Sequence, residues 1–392
     1  MEHIDPFSWD IGHLPFMWNP LRTPHNPDGL PDTLPFTLTM NRSTGALIQA
    51  PMPLVSQALS RAYSIGSMIT GQMGESGIGR RYTDDFLSFM GETAAGESPF
   101  TGQRVLEIGC GNGYLLHRLA GLGANVLGLE PGEHGQAKYN VPVVKDFFPS
   151  TQITGPFDVI VMFGVLEHVE QPVNFIEQVF ALLARAGKVF IGVPDCAPYI
   201  EAGDLSCLIH EHWSYFDHIS LAWTLLRAGG DEIQVRPSGF GGLLYACVSR
   251  RHSSEASARS EEPEVSSSRL ENFRVRAKQS IRGIARFVDV AATVGESVGV
   301  YVPGRIINAL FAGRIEPRDW RFFDDNPLLK GSFFPGLPMP IEDRSDLLAR
   351  PTNRLLIMSR SFGDAMVKEL RPSLPAETVI STWYDLFDGQ ST

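Results

Sequence analysis

Between Arg104 and Val193, short apolar runs alternate with stretches whose apolar residues recur at helical spacing. The runs Arg104–Ile108, Val126–Glu130, Val141–Val144, Asp158–Met162 and Lys188–Val193 read as strands, and Pro172–Leu183 reads as a helix between the last two. A helix over Tyr82–Met90 leads into the first strand. Such alternation predicts a parallel sheet covered by helices on both faces. Gly239-Phe240-Gly241-Gly242 precedes a last strand, Leu243–Val248. The first sixty residues keep no sustained period and are rich in Pro and Trp. They predict irregular structure with one hairpin, Phe36–Met40 and Ala46–Gln49, turned by Asn41-Arg42-Ser43-Thr44-Gly45.

The stretch Arg250–Ser268 is rich in Ser, Glu and Arg and has no apolar period, so it predicts a linker. A long helix over Leu270–Ala292 follows, with Phe273, Ala277, Ile281, Ile284 and Val288 on one face. Strand and helix then resume: a strand at Gly299–Val302, a turn at Pro303–Arg305, a helix at Ile306–Phe311, a strand at Leu355–Met358 and a helix at Gly363–Leu370. The expected fold is therefore α/β. An irregular N-terminal region (1–75) precedes a Rossmann-like domain (76–250), a linker (251–268) and a second, smaller Rossmann-like domain (269–392). A chain of 392 residues needs more than one core in any case.

Charge and cysteine usage narrow the function class. With 33 basic and 44 acidic residues the net charge is −11, which argues against nucleic acid as a partner. The cluster Arg274, Arg276, Lys278 and Arg282 reads as a solvated helix face. No apolar run approaches the roughly 20 residues of a membrane-spanning helix, and Met1–Pro6 lacks the features of a secretory leader. Cys110, Cys196, Cys207 and Cys247 form no C-x-x-C pair. They suit a reducing cytoplasm, and Cys110 reads as a space-filler rather than a nucleophile.

The chemistry concentrates after the first strand. Gly109-x-Gly111-x-Gly113 sits where that strand meets a helix starting near Tyr114. Glycines there allow positive φ and close approach of backbone to a ligand, and the helix start adds amide donors. A dinucleotide fingerprint would place Gly where Tyr114 stands. Glu107 precedes the loop and suits an ammonium group, while Glu130 ends the next strand and suits two ribose hydroxyls. Asp146, after the third strand, suits an adenine amino group or the start of a helical turn, and Phe147 or Phe148 can pack on the adenine ring. Together these residues predict S-adenosylmethionine (SAM) rather than NAD.

These motifs resemble those of class I SAM-dependent methyltransferases. Further segments resemble one branch, the C-methyltransferases of nucleotide-activated deoxysugars: Phe163–Val169, Val193-Pro194-Asp195, His210–Phe216 and Phe240–Leu244. In the C-terminal half the likeness continues through Tyr301–Leu310, Asp324–Pro327, Lys330-Gly331, Pro335-Gly336 and Pro340-Ile341. It spans about Tyr82 to Leu370 and implies a small-molecule acceptor, a nucleotide-linked keto-sugar. It also implies His212 as a base, with Glu211 as its orienting or second acid/base partner and His210 beside them; His168, just after the fourth strand, reads as a second active-site histidine or as a helix-start residue. Tyr63 is similar to a substrate-facing tyrosine of that family.

Two departures stand out. Asn41 and Thr44 occupy positions where the family's N-terminal zinc domain has cysteines, so no zinc is expected there. Ile209 stands where the family has Tyr, which keeps open an O- or N-methyltransferase, and the lost zinc ligands keep open a SAM-binding protein without turnover. His210, Glu211 and His212, even with His218, lack the H-E-x-x-H spacing of a metal helix, and alternate strand residues face opposite ways. No metal is expected from them.

Overall fold

The computed structural model describes residues 5–64, 73–93, 99–132, 139–239, 241–251 and 266–387. Phe240 and most of the expected linker, 252–265, lie outside them. Three sheets organise the described residues.

The N-terminal region is more regular than its sequence suggests. β1 (Ser8–Pro15) and β2 (Thr33–Met40) pair antiparallel, and β2 pairs with β3 (Leu47–Gln49). Alternate residues of β2, namely Leu34, Phe36, Leu38 and Met40, are buried, the period of a strand with one buried face. β1 escapes detection because a bulge between Asp10 and Gly12 breaks its alternation. The hairpin turn closes on side chains: Asn41 Oδ1 accepts from the Ser43 amide at 2.9 Å, and Thr44 Oγ1 from the Ala46 amide at 3.3 Å. The two positions expected to lack thiolates thus hold the turn by hydrogen bonds. A second unexpected element, helix α1 (Pro53–Ser64), follows.

The central sheet has seven strands. α2 (Gly77–Thr93) precedes β4 (Arg104–Ile108), and α3 (Tyr114–Gly121) separates β4 from β5 (Asn125–Leu129). β6 (Val143–Val144), β7 (Phe157–Phe163), α4 (Pro172–Ala181) and β8 (Leu183–Pro194) follow. Then come α5 (Ala197–Ala202), the short β9 (Ser214–Tyr215), α6 (His218–Arg227), β10 (Gly230–Pro237) and β11 (Leu243–Arg250). The order is β10-β11-β8-β7-β4-β5-β6, parallel from β8 to β6, with β10 and β11 antiparallel. β4 and β7 lie side by side although β5 and β6 intervene in sequence. The order in which strands are added to the sheet therefore reverses between them, and ligands bind parallel sheets in the crevice at such a point. Ile160, Val161, Met162, Val189, Phe190 and Ile191 are fully buried, as central parallel strands require.

β9 does not join that sheet. It pairs with β3, placing Tyr215 opposite Leu47 and Ser214 opposite Ile48. The N-terminal sheet thereby grips the segment that carries His210, Glu211 and His212.

α7 (Ser268–Val294) leads to the third sheet. β12 (Val298–Tyr301), α8 (Ile307–Gly313), β13 (Arg321–Phe323), β14 (Ile341–Glu342), α9 (Arg344–Ala349), β15 (Arg354–Ile357), α10 (Gly363–Leu370) and β16 (Val379–Thr382) make it up. It is parallel throughout, in the order β14-β13-β12-β15-β16. Its core gathers Val300, Ile306, Phe322, Leu356 and Trp383 against Ile284 and Phe287 of α7. Asp204, wholly buried, receives Arg305 at 2.8 Å, and Asn308 Nδ2 donates to the Leu205 and Leu208 carbonyls. The third sheet is thus tied to the loop just ahead of His210.

Candidate active site

The glycine loop is built to stay open. Gly109, Gly111 and Gly113 have φ of 71°, 51° and 77°, the left-handed region that costs other residues about 1–2 kcal/mol. They differ in what surrounds them. A Cβ on Gly109 would fall 2.5 Å from Val165 Cγ2, whereas one on Gly111 would meet nothing within 4 Å. The first glycine admits a neighbouring loop and the second leaves a cradle. Glu130 closes the loop from below, with Oε2 accepting the Gly111 amide at 2.9 Å and Oε1 the Gly132 amide at 2.8 Å. Each oxygen keeps a lone pair for a ligand hydroxyl. Cys110 is buried beside Leu116 and Val141, and burial raises its thiol pKa, in keeping with a space-filling role.

Glu107 lies beneath this loop with 2% exposure. Burial, then the charge of Glu130, raises its pKa well above the usual range, and its Oε2 has no hydrogen-bond partner. A buried acceptor left unpaired costs about 1–3 kcal/mol, and a ligand ammonium would satisfy it. At the end of β6 the structure gives Asp146 a local role. Its oxygens take the Phe147 amide at 2.8 Å and the Ser150 hydroxyl at 2.7 Å and close a local turn, with no helix beginning there. Of the two aromatic candidates, Phe148 packs edge-on against Phe175, while Phe147 stands 65% exposed. Orphaned Glu107, the open cradle at Gly111 and the carboxylate of Glu130 fit SAM.

A second cluster lies at the carboxyl end of β7. Gly164 turns the chain at φ 68°, and Leu166–His168 form one 3₁₀ turn. That turn meets the segment 209–213 where the Trp213 amide donates to the Glu167 carbonyl at 2.7 Å. His168 Nδ1 lies 3.0 Å from the Glu211 carbonyl. A carbonyl only accepts, so Nδ1 carries the proton and Nε2 the lone pair. The rings of His168 and His212 meet edge to face, with centroids 4.7 Å apart. Gln49 of β3 braces the arrangement, its Nε2 donating to the His210 carbonyl at 3.0 Å.

Burial dominates the electrostatics here. It pushes the Glu167 carboxyl up to about 8, and the Glu211 carboxyl up to about 7 against a hydrogen bond from Trp18. It pushes His168 down to about 4 and His212 well below its ordinary value, so both rings are neutral at pH 7. Tyr63, from α1, is raised by burial and then by the charges of Glu211 and Glu167, which puts its hydroxyl in their field. Glu167 Oε2 has no hydrogen-bond partner. No lysine or arginine among the described residues is paired with Glu167 or Glu211. One donor atom from each of Glu167, His168 and His212 lies within 4.8 Å of the others.

The structure corrects one expected member. His210 is fully buried on the other side of its segment. Its Nδ1 is bonded to Gln49 Oε1 at 2.8 Å, and its ring packs on Phe36 with centroids 5.1 Å apart. The turn ahead of β9 directs its ring into the N-terminal core. His210 is a structural residue. His218 begins α6 and is exposed. Ile209 is half-buried, and the Tyr215 hydroxyl donates to its carbonyl at 2.9 Å. Glu167 stands within the segment Phe163–Val169, and its sequence signal is an acidic residue just past the end of the largely apolar β7.

Residues 78–234 match the family model of a methyltransferase domain. Among curated proteins, the chain is 36% identical over 105 residues to a ubiquinone biosynthesis O-methyltransferase of Glaesserella parasuis, covering 23% of this chain and 44% of that protein. It is 28% identical over 193 residues to the protein of that name from Bordetella bronchiseptica, covering 43% of this chain and 76% of that one. The chain thus spans less than half the length of the first of these relatives. Among solved structures it is similar to a magnesium protoporphyrin IX methyltransferase from Synechocystis with bound SAM. That likeness has a TM-score of 0.35 at 15% identity, over 52% of this chain and 99% of the other. Residues 78–234 thus form a SAM-dependent methyltransferase domain. No helix among the described residues is long and apolar enough to cross a membrane.

Proposed function

We propose that this protein methylates a carbon beside a ketone in a small molecule, a nucleotide-linked keto-deoxysugar, after removing a proton from that carbon. One observation carries the reading. Glu211, Tyr63, His168 and His212 converge from three separate segments at the carboxyl end of β7, beside the switch point that the glycine loop borders. Bound against that loop, SAM supplies an electrophilic methyl group. The chain's own residues prepare the acceptor. Glu211 takes the α-proton on its carboxylate, the Tyr63 hydroxyl donates to the oxygen on which the enolate's charge collects, and the neutral rings of His168 and His212 hold the acceptor in register. A general base matched to its medium contributes roughly 10²–10⁴-fold, and positioning is worth about 7–11 kcal/mol. In this assignment Glu211 rather than His212 takes the proton, because the carboxyl titrates near neutrality and the ring far below it.

A second reading is methylation of a hydroxyl oxygen, favoured by the names of the curated relatives, ubiquinone biosynthesis O-methyltransferases. Glu211 would then take the hydroxyl proton. Deuterium at C3 of a 4-keto-deoxysugar nucleotide separates the two. Washout into solvent that the wild type catalyses and Glu211→Gln does not is the expected result. Retention of the label, with methylation of a phenolic hydroxyl instead, would replace the first reading with the second.

A further inference from the structure

We propose that Glu167, His168 and His212 form a binding site for a divalent transition-metal ion of the zinc class. Two imidazoles and one carboxylate make up the protein ligand set of several catalytic zinc sites, which keep a further position for water or substrate. The three residues come from two distant segments, and their donor atoms already lie within 4.8 Å of one another. Bonds of about 2.0–2.2 Å to one ion would draw them to roughly 3–4 Å apart, a side-chain movement of an ångström or so.

Three independent features point to a cation rather than to a chance gathering. His168 Nδ1–H donates to the Glu211 carbonyl, which fixes the ring and leaves Nε2 with its lone pair. Ligating histidines are held by this kind of backbone bond. Glu167 is 2% exposed, and its Oε2 has no partner. A second carboxylate, Glu211, lies close enough for its charge to act on Glu167, and no lysine or arginine among the described residues is paired with either. Finally, the two ligand segments are fastened together at the backbone. The Trp213 amide bonds the Glu167 carbonyl, the Gln49 amide bonds the Trp213 carbonyl at 3.0 Å, and β9 pairs with β3. A site mounted on braced segments loses little order when an ion enters.

The set escapes a sequence search for spacing because Glu167 and His168 lie on the loop after β7 and His212 lies on the loop before β9. His210, which would complete a local H-E-H group, faces the opposite side. An ion held here would act on an oxygen of the acceptor as a Lewis acid.

The test uses the full chain, stripped with a chelator and dialysed. Zn²⁺ is titrated by calorimetry, and Co²⁺ by its visible d–d absorption. One ion per chain is expected, with Co²⁺ bands of a four- or five-coordinate site. Glu167→Gln, His168→Ala and His212→Ala should each weaken binding by more than about tenfold, while His218→Ala, on the exposed start of α6, leaves it unchanged. SAM affinity measured on the same samples reports whether each variant is folded, and any variant that loses it is set aside in favour of the other two. Absence of ion binding, or binding that the three ligand variants leave unchanged, would overturn the proposal. The readout is the ion itself, so it stands apart from whether the acceptor is methylated on carbon or on oxygen.

Discussion

The cofactor half and the acceptor half of this molecule meet at Val165 and are built in opposite ways. The cofactor half is local. Glu130 reaches back to the loop it faces, Asp146 closes its own turn, and Glu107 keeps a buried oxygen without a hydrogen-bond partner. The acceptor half draws on α1, the loop after β7 and the segment before β9. It gathers two buried carboxylates and two neutral imidazoles without a paired lysine or arginine among the described residues. One half recognises an unvarying ligand and can be nearly satisfied beforehand. In the proposed reaction the other moves protons, and there Glu167 keeps an unpaired oxygen while burial displaces the pKa values of its groups.

The largest effect should come from the proton carrier. Glu211→Gln is expected to lower turnover by roughly 10²–10⁴-fold in a SAM-dependent methylation assay, with SAM affinity unchanged. A loss below tenfold would remove Glu211 from the acid/base role.

The contact between the halves comes next. Gly109→Ala forces a left-handed backbone, at about 1–2 kcal/mol, and drives a methyl into Val165, at about 1–3 kcal/mol more. Gly111→Ala carries only the first cost, since its Cβ meets open space. Urea unfolding of the two variants should show Gly109→Ala as clearly the less stable. Equal losses would mean that the loop carrying Val165 gives way freely.

These two halves also differ in how far the sequence revealed them. A glycine loop, an acidic residue before it and another after the next strand lie within thirty residues, and each follows from strand–helix alternation. The acceptor cluster depends on pairings across the chain. β9 has two residues and no period of its own, so nothing local showed that it joins an N-terminal hairpin. The same blindness hid β1, whose alternation a bulge breaks, and it left His210 beside Glu211 and His212 as an apparent equal. The turn they occupy separates them: the His210 ring packs on Phe36 and bonds Gln49, while the His212 ring meets that of His168. Asn41 and Thr44 show a gentler failure. The sequence marked them as lost thiolates, and the structure uses both to close the turn.

The smallest effect is a pH signature in the metal-free protein. Glu167 and Glu211 hold their protons up to about 8 and 7, above the 4.5 of a free carboxyl. The folded state therefore binds more protons than the unfolded state across that window, and stability falls as pH rises through it. His168 and His210 titrate near 4 rather than 6.5. The folded state there binds fewer protons, so their contribution rises between those values and is complete above pH 6.5. The opposing slopes overlap at acid pH, and only the carboxylates act from pH 6.5 to 8. Stability from urea melts should decline over that last interval, and Glu167→Gln should flatten the decline. A stability that is level or rising there in the wild type would mean the acceptor carboxylates are not displaced as described.

The most direct test of a cofactor half separable from an acceptor half is SAM titration by calorimetry into three proteins: the wild type, Glu130→Gln and Glu211→Gln. One SAM per chain should bind the wild type and Glu211→Gln alike, while Glu130→Gln, with its loop loosened and ribose acceptor weakened, should bind about tenfold less tightly, near 1.4 kcal/mol. No binding to the wild type, or a loss on Glu211→Gln as large as on Glu130→Gln, would contradict the division.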